Sequence, residues 1–112
     1  MINQRDILLV PFPFSDQSGK KVRPVAVVSN TDFNENSEDL IVMGLTSNVS
    51  KDKYTVLLTE TDLDEGQIDL CCIKVENILR LDKSLIIKKI GKIKTNKFKE
   101  AKLIFDNILR ED

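Results

Sequence analysis

The chain contains no histidine, which removes the Ser-His-Asp arrangement, the histidine acid/base pair and most metal hydrolases at once. Any chemistry rests on other groups, and two stand at the ends of β-rich runs: Arg23 near the start of one and Thr46 at the close of another. A guanidinium is a planar fork of donors matched to two phosphoryl oxygens, and a threonine hydroxyl can fix a further one. Transfer at an RNA phosphate suits so small a set. The 2′-hydroxyl is an internal nucleophile already held beside the phosphorus, so the protein need supply only charge stabilisation and orientation. Arginine is no base, since its pKa exceeds about 12, which leaves a carboxylate, a water or a neighbouring hydroxyl to take the proton. Taken singly, Arg23 fits a surface ion pair and Thr46 fits ordinary β propensity; their joint occurrence carries the reading.

Other chemistries find less support. Cys71 and Cys72 are adjacent, so in an extended strand they point to opposite faces and cannot chelate one metal together; they read as small core residues. Neither a zinc site nor a structural disulfide is expected, and Asp62, Asp64 and Glu65 span too short a stretch for a calcium loop. No cofactor or metal is expected. The formal net charge of −1 does not advertise a nucleic-acid partner, so any phosphate site must be local. Lys20, Lys21 and Arg23 form one basic group and residues 88–102 a second, while acids gather at 32–39 and 60–65.

Positioning these groups falls to one domain: 112 residues, 41% of them hydrophobic, make a single core over 1–112 and not two. Apolar runs stay below the roughly 20 residues that a spanning helix needs, so no membrane association is expected. The N-terminus lacks a basic stretch followed by a long apolar one, so a cytoplasmic location is expected.

Residues 6–12 are apolar and β-rich, with Pro11 and Pro13 ending the strand or confining that end to a sheet edge. After a polar loop, residues 22–29 form a second strand, with Pro24 suited to an edge or strand start, and the two pair as a hairpin. Residues 30–39 read as a loop or short helical turn, 40–46 as a buried strand closed by Thr46, 54–59 as a further strand, and 61–67 as an acidic turn containing Gly66. Short strands are expected at 70–75 and 79–81, while 85–93 is ambiguous. Phe98, Ala101, Phe105, Ile108 and Leu109 recur at helical spacing, with Thr95 or Asn96 as N-cap, giving a C-terminal amphipathic helix. No helix is long enough to connect each strand pair in the first half. The expected class is therefore mainly β with helices, a small, partly closed antiparallel β-barrel with a C-terminal α-helix.

Three segments in order, Asp6-Ile7-Leu8-Leu9-Val10, Lys21-Val22-Arg23-Pro24-Val25-Ala26-Val27-Val28-Ser29-Asn30 and Ile41-Val42-Met43-Gly44-Leu45-Thr46-Ser47, resemble the MazF/PemK toxin endoribonucleases of type II toxin-antitoxin systems. The likeness extends through residues 78–83 and the C-terminal helix. It implies a barrel of the MazF/PemK/CcdB type and a homodimer with single-stranded RNA across its interface. It also implies metal-independent, sequence-specific cleavage to 2′,3′-cyclic phosphate and 5′-hydroxyl ends, and inhibition by a cognate antitoxin. By position it makes Arg23 and Thr46 catalytic, and Ser18, Lys20, Lys21, Asn30, Ser47 and Asn77 substrate-binding. Lys20 and Lys21 stand where many members have glycines, Cys71 where serine is frequent and Leu79 where arginine is frequent.

Two other functions compete. CcdB-like toxins bind gyrase through a tryptophan-containing C-terminus, and this chain has no tryptophan. A non-catalytic RNA-binding barrel would display stacked aromatics, and 5% aromatic content offers few.

Overall fold

Seven strands and two α-helices follow one another along the computed structural model, which describes residues 1–12, 21–50 and 52–112. Strand β1 (Asp6–Phe12) pairs antiparallel with β2 (Lys21–Val27), setting Val10 opposite Arg23, as the expected hairpin requires. The short helix α1 (Thr31–Glu35) occupies the segment read as a loop or helical turn. There follow β3 (Asp39–Thr46), β4 (Thr55–Leu58), β5 (Leu63–Gly66), β6 (Cys71–Asp82), β7 (Lys88–Ile93) and helix α2 (Thr95–Ile108). The strands form one antiparallel sheet in the order β4-β6-β3-β2-β1-β7-β5, curled into a half-barrel.

Pro11 and Pro24 each sit where a strand lacks one neighbour. Strand β7 pairs only with Asp6 to Leu9, so Pro11 lies beyond that ladder and costs it no donor. On the other side the β2–β3 ladder pairs Val27 with Val42 and ends at Val25 with Gly44, beside Pro24.

The sheet separates two apolar layers. On one face, here the helix face, Ile7, Ala26, Met43 and Ile73 meet Ala101 of α2, with Ile104 and Phe105 alongside. Ala101 is 1% exposed, so its small side chain lets the helix lie close against the sheet, and a larger one would hold it off. On the opposite, open face, Leu8, Val10, Val25, Val27, Val42 and Leu81 form the second layer. With both faces packed, the central strands read as nearly continuous apolar runs.

Three local expectations change. The short strands expected at 70–75 and 79–81 are one 12-residue strand, β6. Its ladder to β3 pairs Lys74 with Gly44 and then Ile78 with Met43, so Val75, Glu76 and Asn77 form a bulge within a continuous strand. The acidic 61–67 segment is a 3₁₀ turn (Glu60–Asp62) followed by β5, because Glu65 finds Lys92 opposite it on β7; a cross-strand pair of opposite charges offsets poor β propensity. Helix α2 begins one or two residues earlier than an N-cap at Thr95 or Asn96 implies. Lys94 occupies the N-cap without a side-chain bond, and Thr95 is already helical.

Candidate functional site

The site grows from the place where β2 and β3 part. Pro24 has no N–H, and past it no ladder joins the strands. Arg23 and Thr46 each lie two residues beyond the last pair of the β2–β3 ladder, Val25 with Gly44. Alternation along each strand puts both side chains on the open face, Arg23 with Val25 and Thr46 with Val42. Both are half-buried. Thr46 Oγ1 accepts a hydrogen bond from the Asn48 N–H at 3.1 Å, which leaves its O–H able to donate outward.

Strand β6 adds two more groups to this face. Lys74 stands directly opposite Gly44, two residues from the Cys72–Thr46 pair, so a second cation flanks the Arg23–Thr46 position; sequence reasoning missed it. Its signal lay only in a register that no local pattern shows. Asn77, in the bulge, lies over Gly44 so closely that a Cβ there would fall 2.5 Å from Asn77 Nδ2. The candidate Asn77 is thus brought to the same face as Thr46 and Arg23.

Where β2 and β3 separate, a cleft of about 290 Å³ opens, with Lys21 and Arg23 at one rim and Ser47 and Asp69 also lining it. Cys71 forms part of its floor. Burial, with the neighbouring Cys72 and Asp69 adding to it, pushes the Cys71 thiol up from 9.0 to about 11. A thiol held there stays protonated at neutral pH, so the cleft offers no cysteine nucleophile. Both cysteines are free and buried, in keeping with their reading as small core residues.

The remaining candidates lie elsewhere. Asn30 sits at the other end of β2 and caps α1, its side chain accepting from the Phe33 N–H at 2.8 Å. Ser18 and Lys20 lie outside the described residues. In the second basic run three lysines meet acids: Lys89 reaches Asp6 at 3.2 Å and Glu65 at 3.4 Å, Lys97 meets Glu100 at 3.3 Å, and Lys102 meets Asp106 at 3.4 Å. Among the described residues no group of three or more Cys, Asp or Glu side chains is placed to hold a metal ion. No helix among them is long and apolar enough to cross a membrane.

No curated protein matches the chain. Among solved structures, an endoribonuclease in complex with its cognate antitoxin from a mycobacterial species superposes with a TM-score of 0.81 at 15% identity, over 97% of this chain and 95% of that one. MazF in the MazE–MazF complex of Deinococcus radiodurans gives a TM-score of 0.81 at 15% identity, over 96% and 95% of the two chains. The Mycobacterium tuberculosis toxin MazF-mt6 gives 0.77 at 15% identity, over 96% and 99%. At such identity these likenesses establish the fold, the half-barrel with its C-terminal helix. The model of the PemK-like, MazF-like toxins of type II toxin-antitoxin systems matches residues 3–109, and the chain belongs to that family.

Proposed function

We propose that this toxin is a metal-independent endoribonuclease that cuts single-stranded RNA, with Arg23 and Thr46 at the scissile phosphate. The observation that carries this reading is the convergence of Arg23, Thr46, Lys74 and Asn77 on one sheet face at the point where the β2–β3 ladder ends. In the reaction, the 2′-oxygen attacks phosphorus while the bond to the 5′-oxygen breaks, giving a 2′,3′-cyclic phosphate and a 5′-hydroxyl. The 2′-proton passes to a base and the leaving oxygen takes up a proton. Arg23 meets charge growing on the phosphoryl oxygens, and Thr46 donates its hydroxyl to one of them. Lys74 and Lys21 hold flanking phosphates as point charges, and Asn77, Ser47, Ser18 and Lys20 contact the strand.

The partners follow the same reading: a homodimer building a groove several nucleotides long, a cognate antitoxin that neutralises it, and a cytoplasmic location. The endoribonuclease–antitoxin and MazE–MazF complexes support the antitoxin. An apolar recess of about 390 Å³ on the open face, lined by Val10, Val25, Val42 and Leu79 among others, supplies surface for a second copy. The decisive experiment incubates purified protein with long RNA in chelator and maps the ends. Cyclic-phosphate and 5′-hydroxyl ends are expected; 5′-phosphate ends, or activity lost in chelator, overturn the mechanism.

A further inference from the structure

Given RNA as the substrate, we infer that the cleft beside Arg23 is a nucleobase pocket and that Asp69 selects guanine within it. The cleft has the construction of a base site and not of a second phosphate site. Apolar side chains supply much of its lining: Val22, Pro24, Leu45, Ile68 and Leu70. Val22 and Leu70 are 50% and 54% exposed, an uncovered apolar pair next to two cations. A flat base entering between them removes apolar surface from water on both sides. Its 290 Å³ exceeds the roughly 30 Å³ share of one water severalfold, so a base fits and a folded duplex does not.

The polar groups are arranged to match. Val22, Pro24 and Leu45 alternate away from Arg23 and Thr46, so the cleft lies around the sheet end from the phosphate position. Arg23 stands at the boundary of the two. A strand whose phosphate meets Arg23 can therefore turn its neighbouring base into the cleft. Besides Lys21 and Arg23, the described polar side chains lining the cleft are Ser47 and Asp69, both exposed at its mouth. A hydroxyl serves any base, whereas an ionised carboxylate only accepts. Guanine's Watson–Crick edge presents N1–H and N2–H side by side, a fork that matches two carboxylate oxygens. Adenine and cytosine place a ring acceptor beside their amino group, and uracil sets its single N–H between two carbonyls. That edge is open to reading in single-stranded RNA. Asp69 lines the cleft together with Cys71, two residues along the chain.

The test uses full-length protein on a long RNA containing every dinucleotide context, with ends mapped, and on oligonucleotides carrying inosine at the selected position. Wild-type sites are expected to share a guanine at one fixed place next to the cut, favoured by about tenfold or more over other bases. Inosine, which lacks the N2 amino group, should slow the wild type at that place. Asp69→Asn and Asp69→Ser should lose most of the preference and cut inosine and guanine sites at similar rates. Wild-type sites without a shared guanine overturn the inference. So do folded variants that cut with the wild-type base profile, as expected if Asp69 only pairs with Lys21; in both cases RNA cleavage itself stands. A wild type that cuts no RNA and binds no 2′-deoxy-substituted oligonucleotide overturns the cleavage reading and the pocket together.

Discussion

The side chain of Asn77 occupies the space that a Cβ on Gly44 would need, its Nδ2 lying 2.5 Å from that position and its Cγ 3.3 Å. Glycine at 44 is therefore a condition for the bulge of β6 to deliver Asn77 to the face that carries Thr46, two residues along the same strand.

Gly44→Ala tests this directly. The atom displaced is the far end of a flexible side chain, so the fold should lose only about 1 kcal/mol or less, within the range of ordinary single substitutions. RNA affinity should fall severalfold as the amide swings away. Thermal melts and oligonucleotide titration, run side by side, separate the two; unchanged affinity would remove Asn77 from the RNA contact surface.

Arg23→Ala should lower the cleavage rate by about 100-fold or more, the scale for losing one preorganised electrostatic donor, with binding weakened far less. Arg23→Lys should restore little, since a point charge does not reproduce the bidentate fork. Thr46→Val keeps the branched shape and deletes the hydroxyl, so the rate should fall in a folded protein, while Thr46→Ser retains part of it. Single-turnover kinetics on a defined RNA decide the matter: an Arg23→Ala protein, folded by circular dichroism, that cuts at the wild-type rate would sink the assignment.

Asp6 is fully buried, with one carboxylate oxygen accepting from the Asn3 N–H at 2.8 Å and the other 3.2 Å from Lys89 Nζ. Lys89→Ala leaves that carboxylate buried without its cation. The full loss for a buried pair is about 3–5 kcal/mol, and because the Lys89 side chain is 37% exposed solvent screening lowers the expectation to about 1–3 kcal/mol. Urea unfolding at neutral pH reads it, and an unchanged midpoint would show that water already serves Asp6.

Alkali should unfold the protein in two stages. Cys71 ionises near 9.0 when unfolded but is pushed up to about 11 by burial in the fold. The folded chain therefore holds a proton the unfolded one has lost, and stability falls as pH rises from about 9 towards 11. Lys89 loses some affinity for its proton by burial, but Asp6 and Glu65 more than restore it, raising it above 10.5. Its contribution, complete below 10.5, is lost as pH climbs through the folded value. Cys71→Ala should flatten the first stage of the stability profile and leave the second. Denaturant midpoints at graded pH give the comparison, and an identical slope between 9 and 10.5 in both proteins would contradict it.

The buried thiols should also resist modification. Cys71 and Cys72 are 5% and 1% exposed, and a thiol enclosed in apolar surroundings is inert. A thiol reagent at pH 7 should label neither in the native protein and both in denaturant. Fast native labelling would mean that β6 opens locally.

Local chemistry wrote the strands and the helix into the sequence. The β-branched and aliphatic runs around Ile7, Val25 and Val42 could only be buried strands, and the three- and four-residue spacing of Phe98, Ala101 and Phe105 could only be a helix with one apolar face. Arg23 and Thr46 were legible too, because each stands at the end of such a run, next to the proline or polar loop that ends it. What lies across strands was not legible, since pairing register is set by tertiary packing and leaves no mark on any short window of sequence. Register alone placed Lys74 opposite Gly44 and made one strand of two expected ones by absorbing Val75 to Asn77 in a bulge. The same packing committed Asn30 to a helix cap far from Arg23 and set acids against three lysines of the second run. The cleft is likewise a tertiary product: Pro24 is visible in the sequence, but only the fold brings Asp69 from the far side of the chain to the gap it leaves.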